Sequence, residues 1–192
     1  MAACLEPLRG EPGLVVVGLP RGGVPVACEV ALALEAPLDV LIVRKIGMPD
    51  QPEVAMGAIG EGGVVVVNED LMSAVNITKA QFALIEEREQ VELERRVHRY
   101  RQDREPVPLE GRTVVIVDDG IATGSTARAA CQVARARGAA RVVLAVPVGA
   151  ARAMEDLRGY VDEPVSYTHL PPRPSSRSTA RVPSPTRGNR RA

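Results

Sequence analysis

Aromatic residues are scarce in this chain: Phe, Tyr and Trp together make up 2% of its 192 residues, and Trp is missing altogether. A core without large rings must be filled by Val, Leu, Ile and Ala, and 45% of the residues are hydrophobic. This composition suits a parallel sheet covered on both faces, because its strands are continuous runs of branched aliphatic residues. The length is enough for one medium-sized α/β domain with a single core.

The chain also lacks long apolar runs and a dense set of cysteines. No stretch approaches the ~18 residues of a membrane span, and no basic segment followed by an apolar run opens the chain as a secretory signal would. Cys4, Cys28 and Cys131 are far apart and follow no metal-binding spacing. We interpret Cys28 and Cys131 as small buried residues on helices. So sparse a set of cysteines favours a cytoplasmic protein, and the lack of a long apolar run argues against a membrane partner.

Charge is balanced over the whole chain but is unevenly distributed. The chain has 24 basic and 24 acidic residues, and residues 165–192 contain six Arg and no acidic residue. The preceding 164 residues therefore keep 18 basic and all 24 acidic residues, which gives them a net charge of −6. An acidic body argues against nucleic acid as a partner, because nucleic-acid binding requires a basic face.

The composition changes abruptly after residue 164. Residues 165–192 contain five Pro, five Ser and six Arg and show neither helical nor strand periodicity, so they bury too little apolar surface to offset the chain entropy. Two interpretations remain: a natural disordered tail, or a stretch that does not belong to the folded protein. We favour the second, because the domain loses its last strand where the composition changes. The expected domain therefore spans residues 1–164, with a core at about 14–149.

Apolar runs of strand length alternate with segments of helical spacing along this domain. The order predicts an α/β fold, with an open, mostly parallel, twisted sheet flanked by helices. The predicted strands lie at 14–17, 38–43, 113–117 and 141–146, with a fifth near Val161 that Pro164 interrupts; the predicted helices lie at 24–34, 125–137 and 150–158.

A small insertion is expected at about 47–105. Two short apolar runs at 55–59 and 64–68 flank a Gly-rich link and indicate a hairpin. Thr78 and Gln81 have the spacing of a capping box and predict a long, charged helix that ends near Arg104. We consider the hairpin and residues 51–76 as candidates for a closing lid.

Residues 113–126 contain the largest number of candidate ligand-binding side chains. An apolar strand ends in Asp118 and Asp119, a Gly- and Thr-containing loop follows, and a helix begins near Ser125. Ligands of open α/β sheets bind at this edge, and loop amides together with a helix N-terminus attract phosphate. Two adjacent carboxylates repel phosphate but accept hydrogen bonds from sugar hydroxyls. The alternative is a strand end whose Asp and Thr residues merely cap a helix.

Two other phosphate-binding patterns, the Walker loop and the dinucleotide fingerprint, are absent. A Walker loop requires Lys beside its Ser or Thr, and the Gly124–Ser125 step has none. The segment instead resembles the signature of the type I phosphoribosyltransferases: an apolar strand, two acids, three residues, Thr-Gly and a hydroxyl residue. The resemblance covers about residues 14–149. It implies that Asp118 and Asp119 hold the ribose hydroxyls of phosphoribosyl pyrophosphate (PRPP), and that the loop holds the 5′-phosphate through Ala122, Thr123, Gly124, Ser125 and Thr126.

A second part of the resemblance directly follows the first strand. Residues 19–23 look like the family's pyrophosphate loop, which implies that Arg21, Gly22 and Gly23 face the leaving group. Arg44 and Lys45, expected to end the second strand at the same edge, could add positive charge there. Otherwise residues 19–23 are an ordinary turn, and Arg44 and Lys45 are solvated charges at a strand end.

The resemblance also implies a reaction. A nitrogen acceptor would displace pyrophosphate from C1 of PRPP, with Mg²⁺ as cofactor and with Asp118 and Asp119 holding the metal indirectly. Ala122 stands where the 6-oxopurine branch carries an acid, which favours a nucleobase other than hypoxanthine or guanine as the small-molecule acceptor. The alternatives are a regulatory nucleotide-binding protein of the same fold without catalysis, and a damaged fragment that cannot fold. A homodimer is left open.

Overall fold

The computed structural model describes residues 2–102 and 104–170, and the side-chain surroundings of residues 3–102 and 104–166. The strands are β1 Leu14–Gly18, β2 Leu38–Val40, β3 Val43–Gly47, β4 Ala55–Gly60, β5 Val64–Val67, β6 Thr113–Val117, β7 Arg141–Ala150 and β8 Glu163–Leu170. The helices are α1 Ala2–Leu5, α2 Gly23–Leu34, α3 Glu69–Ala74, α4 Lys79–Arg101, α5 Ser125–Ala136 and α6 Ala151–Leu157, with a 3-10 turn at Glu6–Leu8.

Five strands form a parallel sheet in the order β2-β1-β6-β7-β8. Since every strand runs in the same direction, the carboxyl ends of β1 and β6 lie side by side, with Gly18 opposite Val117. The chain leaves both strands at this edge, where ligands of open α/β sheets bind. The predicted fold class is confirmed.

Alternate side chains of the parallel strands pack into two separate cores, one on each face of the sheet. Val15 and Val17 face one side, which α5 and α6 cover, whereas Leu14 and Val16 face the side covered by α1 and α2. Both faces are therefore dry, and this explains why the strands are runs of Val, Leu and Ile rather than alternating polar and apolar residues.

A second sheet, antiparallel and three-stranded in the order β3-β4-β5, packs on the outer side of α5. Gly60 permits this close approach, because a Cβ at that position would overlap the side chain of Val133 on α5. Helix α5 is thus held between two sheets, and its buried positions are mostly Ala for the same steric reason. The predicted hairpin corresponds to β4 and β5, and β3 completes the sheet.

Helix α4 covers the other face of this second sheet. It begins after Thr78, whose hydroxyl accepts a hydrogen bond from the Gln81 amide, so the predicted capping box is present. Phe82 and Leu93 pack with Ile46 and Met56 in a third core cluster. The remaining surface of α4 is strongly charged, and within residues 2–102 and 104–170 no helix has both the length and the apolar character needed to cross a bilayer.

The prediction of a single strand at 38–43 is wrong. The structure divides it into β2, which joins the parallel sheet, and β3, which joins the antiparallel sheet. Leu41 donates its backbone N–H to Gly18 and Ile42 donates its own to the buried carboxylate of Glu61, so both amides are satisfied where the chain passes between sheets. Arg44 and Lys45 consequently lie within β3 rather than at the end of a strand of the main sheet.

The boundary predicted after residue 164 also falls inside an element. Strand β8 continues to Leu170, and Pro164 pairs in register with Leu144. Proline is tolerated there because β8 is an edge strand, where one side of the backbone needs no partner. Val165 is buried in the core, so residues 165–170 are not part of a tail. Residues 171–192 lie outside the described residues.

One of the two predictions about the helical cysteines is wrong as well. Cys131 is buried on α5, as expected, whereas Cys28 is exposed on α2. Ala27 and Val30 lie on the buried face of α2, and Cys28 lies outside that face.

A buried ion-pair network holds the point where the chain changes sheets. The Arg101 guanidinium, at the end of α4, contacts Asp39 at 2.5 Å and Glu61 at 2.5 Å, and donates to the carbonyl of Val40 at 2.9 Å. Asp39 also accepts the backbone N–H of Val107. The network joins α4, β2 and the β4–β5 turn around one cation.

We expect Arg101→Ala to lower the free energy of unfolding by about 3 kcal/mol, because it leaves the buried Glu61 carboxylate and the half-buried Asp39 carboxylate without their cation. Denaturant unfolding at neutral pH measures this change. Arg95→Ala is the matched control, since Arg95 forms an exposed pair with Glu92 on the same helix and its loss should cost far less. Equal effects of the two substitutions would contradict a structural role for the network.

Candidate active site at the carboxyl edge of the parallel sheet

The two acids predicted from the sequence stand at the carboxyl end of β6, a strand flanked by β1 and β7. The backbone N–H of Asp118 donates to the carbonyl of Ala145 at 3.3 Å, so the neighbouring strand β7 fixes the first acid. The Asp118 carboxylate accepts the backbone N–H of Asp119 at 2.9 Å. Asp118 is half-buried and Asp119 is exposed, so the second acid is open to a ligand.

The environment of Asp118 is unusual for a carboxyl group. Burial raises its pKa to about 6, and the neighbouring Asp119 carboxyl acts in the same direction, whereas the Asp119 backbone N–H opposes them. Ionised Asp118 is thus short of hydrogen-bond donors. A ligand that donates a hydroxyl here would stabilise the charged form, which is the interaction that a ribose diol offers.

The loop at 19–23 lies directly against these acids. Its first amide, that of Leu19, donates to the carbonyl of Val117 at 2.9 Å. A Cβ added to Gly23 would stand 2.5 Å from the Val117 carbonyl oxygen, and one added to Gly22 would overlap the Asp119 carboxylate. Gly23 is therefore required by its contact with the backbone at the end of β6, whereas Gly22 contacts only the exposed Asp119 side chain. Arg21, exposed beside them, is held at the same edge.

The predicted phosphate loop follows the acids on the other side. Ile121 pairs with the end of β7 through hydrogen bonds to Val148 and Ala150. Gly124 adopts a left-handed conformation with φ of 76°, and α5 begins at the next residue. Ala122, Thr123 and Thr126 are exposed, while Ser125 is buried. The N-cap residue Gly124 has no side chain with which to cap α5, and the first amide of the helix, that of Ser125, donates to the Thr123 Oγ1 at 3.5 Å. The positive end of the helix lies at this loop.

The two predicted basic residues have different surroundings. Lys45 reaches toward the predicted phosphate loop, with its Nζ 3.4 Å from the Ser125 Oγ. The Arg44 side chain projects to the opposite face of β3 and forms an ion pair with Glu89 of α4 at 2.5 Å. The structure therefore brings Lys45, but not Arg44, to the loop that precedes α5.

Glu53 was not predicted from the sequence to belong to the site. It lies on the loop between β3 and β4, and its carboxylate is 2.9 Å from the Lys45 Nζ and 3.4 Å from the Ser125 Oγ. Residues 53 and 125 are far apart in the chain, so no local pattern signals their contact. Only the general expectation of a lid at 51–76 includes this position.

A cleft of about 670 Å³ opens beside the same loop. Lys45 and Thr126 line it, and Met48, Ile85 and Arg88 contribute apolar surface and positive charge. The cleft leaves room for a small molecule next to the predicted phosphate loop.

The oxygen ligands at this edge are compatible with Mg²⁺ that is shared with a substrate. Asp118 and Asp119 offer carboxylate oxygens, and Mg²⁺ is commonly held by one or two carboxylates together with substrate phosphates and water. Among the residues whose positions are described, no group of three or more His, Cys, Asp or Glu side chains forms a metal-binding cluster. The acids therefore fit an indirect role in holding a metal.

Comparison with known proteins identifies the family. The model of the phosphoribosyl transferase domain matches residues 9–168, which is most of the chain. The chain belongs to the phosphoribosyl transferase family. The sequence-based resemblance is confirmed, and the matched region includes the acid pair and both loops of the site.

Similar proteins extend this result. The chain is 56% identical over 165 residues to "Putative phosphoribosyl transferase MT0597" of Mycobacterium tuberculosis CDC 1551 and equally to "Putative phosphoribosyl transferase Rv0571c" of strain H37Rv. These alignments cover 86% of this chain and 37% of each relative, so the chain spans little more than a third of their length. The crystal structure of TT1426 from Thermus thermophilus is similar with a TM-score of 0.82 and 43% identity, over 88% of this chain and 79% of that one.

The contact between Gly23 and β6 can be tested by a substitution that adds a single methyl group. Gly23→Ala places a Cβ against the backbone of Val117 and Asp118, so we expect a loss of about 2 kcal/mol in the free energy of unfolding. Gly159→Ala is the control, because a Cβ there meets nothing within 4 Å. Chemical denaturation of both variants measures the difference; a Gly23→Ala protein as stable as the control would show that the loop does not need this contact.

Proposed function

We propose that this phosphoribosyl transferase domain moves a ribose 5-phosphate unit from PRPP to a nitrogen acceptor and releases pyrophosphate. The observation that carries the proposal is the contact of the Gly22–Gly23 turn with the Asp118–Asp119 pair, on the same sheet edge as the N-terminus of α5. One edge of the sheet thereby combines groups suited to a diol, a phosphate and a pyrophosphate.

Each part of the donor has a matching group. The carboxylates of Asp118 and Asp119 accept hydrogen bonds from the 2′- and 3′-hydroxyls of the ribose. The amides and hydroxyls of residues 122–126 hold the 5′-phosphate at the positive end of α5. Arg21 and the amide of Gly22 face the pyrophosphate, whereas the Gly23 N–H donates to the Leu19 carbonyl and stabilises the turn. Lys45 is close enough to the phosphate loop to add positive charge, and Arg44 could do so only after leaving Glu89.

The reaction breaks the bond between C1 of the ribose and the pyrophosphate oxygen and forms a bond from C1 to the acceptor nitrogen. Fixing both ends of the sugar phosphate aligns C1 with the acceptor, and this alignment supplies much of the rate. Arg21 and the loop amides stabilise the negative charge that develops on pyrophosphate. Bound Mg²⁺ would neutralise further charge on that group, with Asp118 and Asp119 holding the ion indirectly.

The acceptor is proposed to be a nucleobase other than a 6-oxopurine. Ala122 supports this choice, because a methyl group cannot exchange a proton with the base as an acidic side chain would. The cleft beside Lys45 and Thr126 offers space for a small planar acceptor. We place the reaction in the cytoplasm, in keeping with the sparse cysteines of the sequence.

A regulatory protein that binds PRPP without turnover is the alternative. Release of pyrophosphate in the presence of PRPP, Mg²⁺ and a panel of nucleobases would support the enzyme. Binding of PRPP without pyrophosphate release would favour the regulator, and absence of binding by the folded protein would contradict both.

Asp119→Asn should weaken PRPP binding and lower kcat/KM at least about 10-fold, because a charge-assisted hydrogen bond is worth ~1.5–3 kcal/mol. Isothermal titration with PRPP and a pyrophosphate-release assay measure the two effects. Asp156→Asn on α6 provides the control, since it removes one exposed acid that belongs neither to the acid pair nor to the two predicted loops. An unchanged kcat/KM in Asp119→Asn would remove this residue from the proposed site.

A further inference from the structure

The phosphate loop already holds a negatively charged group that comes from the protein itself. One oxygen of the Glu53 carboxylate lies 2.9 Å from the Lys45 Nζ and 3.4 Å from the Ser125 Oγ. The Thr123 and Ser125 hydroxyls are 3.0 Å apart, so the carboxylate meets a cluster of donors rather than one side chain. Lys45 lowers the pKa of Glu53, and Ser125 and Thr123 contribute in the same direction.

The backbone of the loop holds Glu53 in this position. Met48 donates its N–H to the carbonyl of Val54 at 2.9 Å, and Val54 donates its own to Gln51 at 2.9 Å, so the loop between β3 and β4 is closed by its own hydrogen bonds. A Cβ on Gly47 would stand 2.5 Å from the Pro52 carbonyl oxygen, so the loop folds back tightly over the end of β3. Residues 48–54 are thus shaped to direct the side chain of Glu53 toward α5.

We propose that Glu53 occupies the binding position of the substrate's 5′-phosphate in the free protein and must be displaced when the substrate binds. The inference rests on the proposed function, because it takes residues 122–126 as the 5′-phosphate loop. Displacement of Glu53 frees the loop at 48–54, which also borders the cleft through Met48, Pro49 and Pro52. Phosphate binding and the arrangement of the neighbouring cleft are coupled in this way.

Replacement of the Glu53 carboxylate by the phosphate of a ligand also favours phosphorylated ligands over unphosphorylated ones. A phosphate group brings close to two negative charges and three acceptor oxygens, whereas the carboxylate brings one charge and two oxygens, so phosphate forms the stronger interaction with Lys45 and the helix N-terminus. The Glu53 side chain is 70% exposed, so its own contacts are weak enough to be replaced. A sugar without a 5′-phosphate has nothing to exchange for Glu53.

The first test compares ligand affinity in two charge-neutralising variants of the same loop. Glu53→Gln and the truncation Glu53→Ala should bind ribose 5-phosphate, and PRPP with Mg²⁺, about two- to fivefold more tightly than the wild type, because an exposed ion pair competes only modestly. Asp50→Asn is the matched control, because Asp50 is an exposed acid of the same loop and lies outside the cluster formed by Lys45, Glu53 and Ser125. Isothermal titration measures each dissociation constant.

The outcomes separate this inference from the proposed function. PRPP binding that is equal or weaker in both Glu53 variants, or a gain of the same size in Asp50→Asn, overturns the role of Glu53 and leaves the enzyme proposal standing. Failure of PRPP to bind either the wild type or the variants removes the phosphate site, and with it the function and the inference together.

A fluorescence measurement follows the loop directly. The chain contains no Trp, so Gln51→Trp adds a single reporter at an exposed loop position. Its emission should shift on titration with ribose 5-phosphate, and in the double variant Gln51→Trp/Glu53→Gln the emission should start near the ligand-bound value. An emission that does not respond to saturating ribose 5-phosphate would contradict displacement of the loop.

Discussion

The structure of this domain depends on the contact between a glycine turn and the end of a neighbouring strand. Gly23 lies so close to the backbone of Val117 and Asp118 that it has no room for a side chain, and Gly22 lies against the Asp119 carboxylate. This contact places the loop after β1 beside the acids after β6, and the parallel register of the two strands keeps it there. Without it the loops would leave the same edge of the sheet but would not form one site.

Burial beside a second acid makes one carboxyl group, that of Asp118, unfavourable to ionise. Asp118 is held close to Asp119 in a half-buried position, and burial raises its pKa to about 6. A group that is costly to ionise in the free protein gains most from a ligand that donates hydrogen bonds to it. On the opposite side, the N-terminus of α5 and Lys45 attract negative charge. One side of the site therefore favours hydroxyl donors and the other favours negative charge, so a ribose phosphate would be aligned with its hydroxyls toward the acids and its phosphate toward α5.

Much of the framework could be predicted from the sequence because its signals are local. The runs of Val and Ile before Asp118, the hydroxyl and Gly residues after it, and the Thr78–Gln81 capping box each fix a structure within a few residues. What was missed depends on distant partners. The break between β2 and β3 requires the Glu61 carboxylate, and Arg44 is held by Glu89 across two elements. Pro164 is accommodated only because β8 lies at the sheet edge.

The most direct test of the central claim is a crystal structure of the protein with ribose 5-phosphate. The account predicts that the phosphate oxygens lie within hydrogen-bond distance of the amides at residues 124–126, that the 2′- and 3′-hydroxyls contact Asp118 and Asp119, and that Glu53 has moved away. Density for the ligand elsewhere, or a bound phosphate with both acids free of hydroxyl contacts, would contradict it.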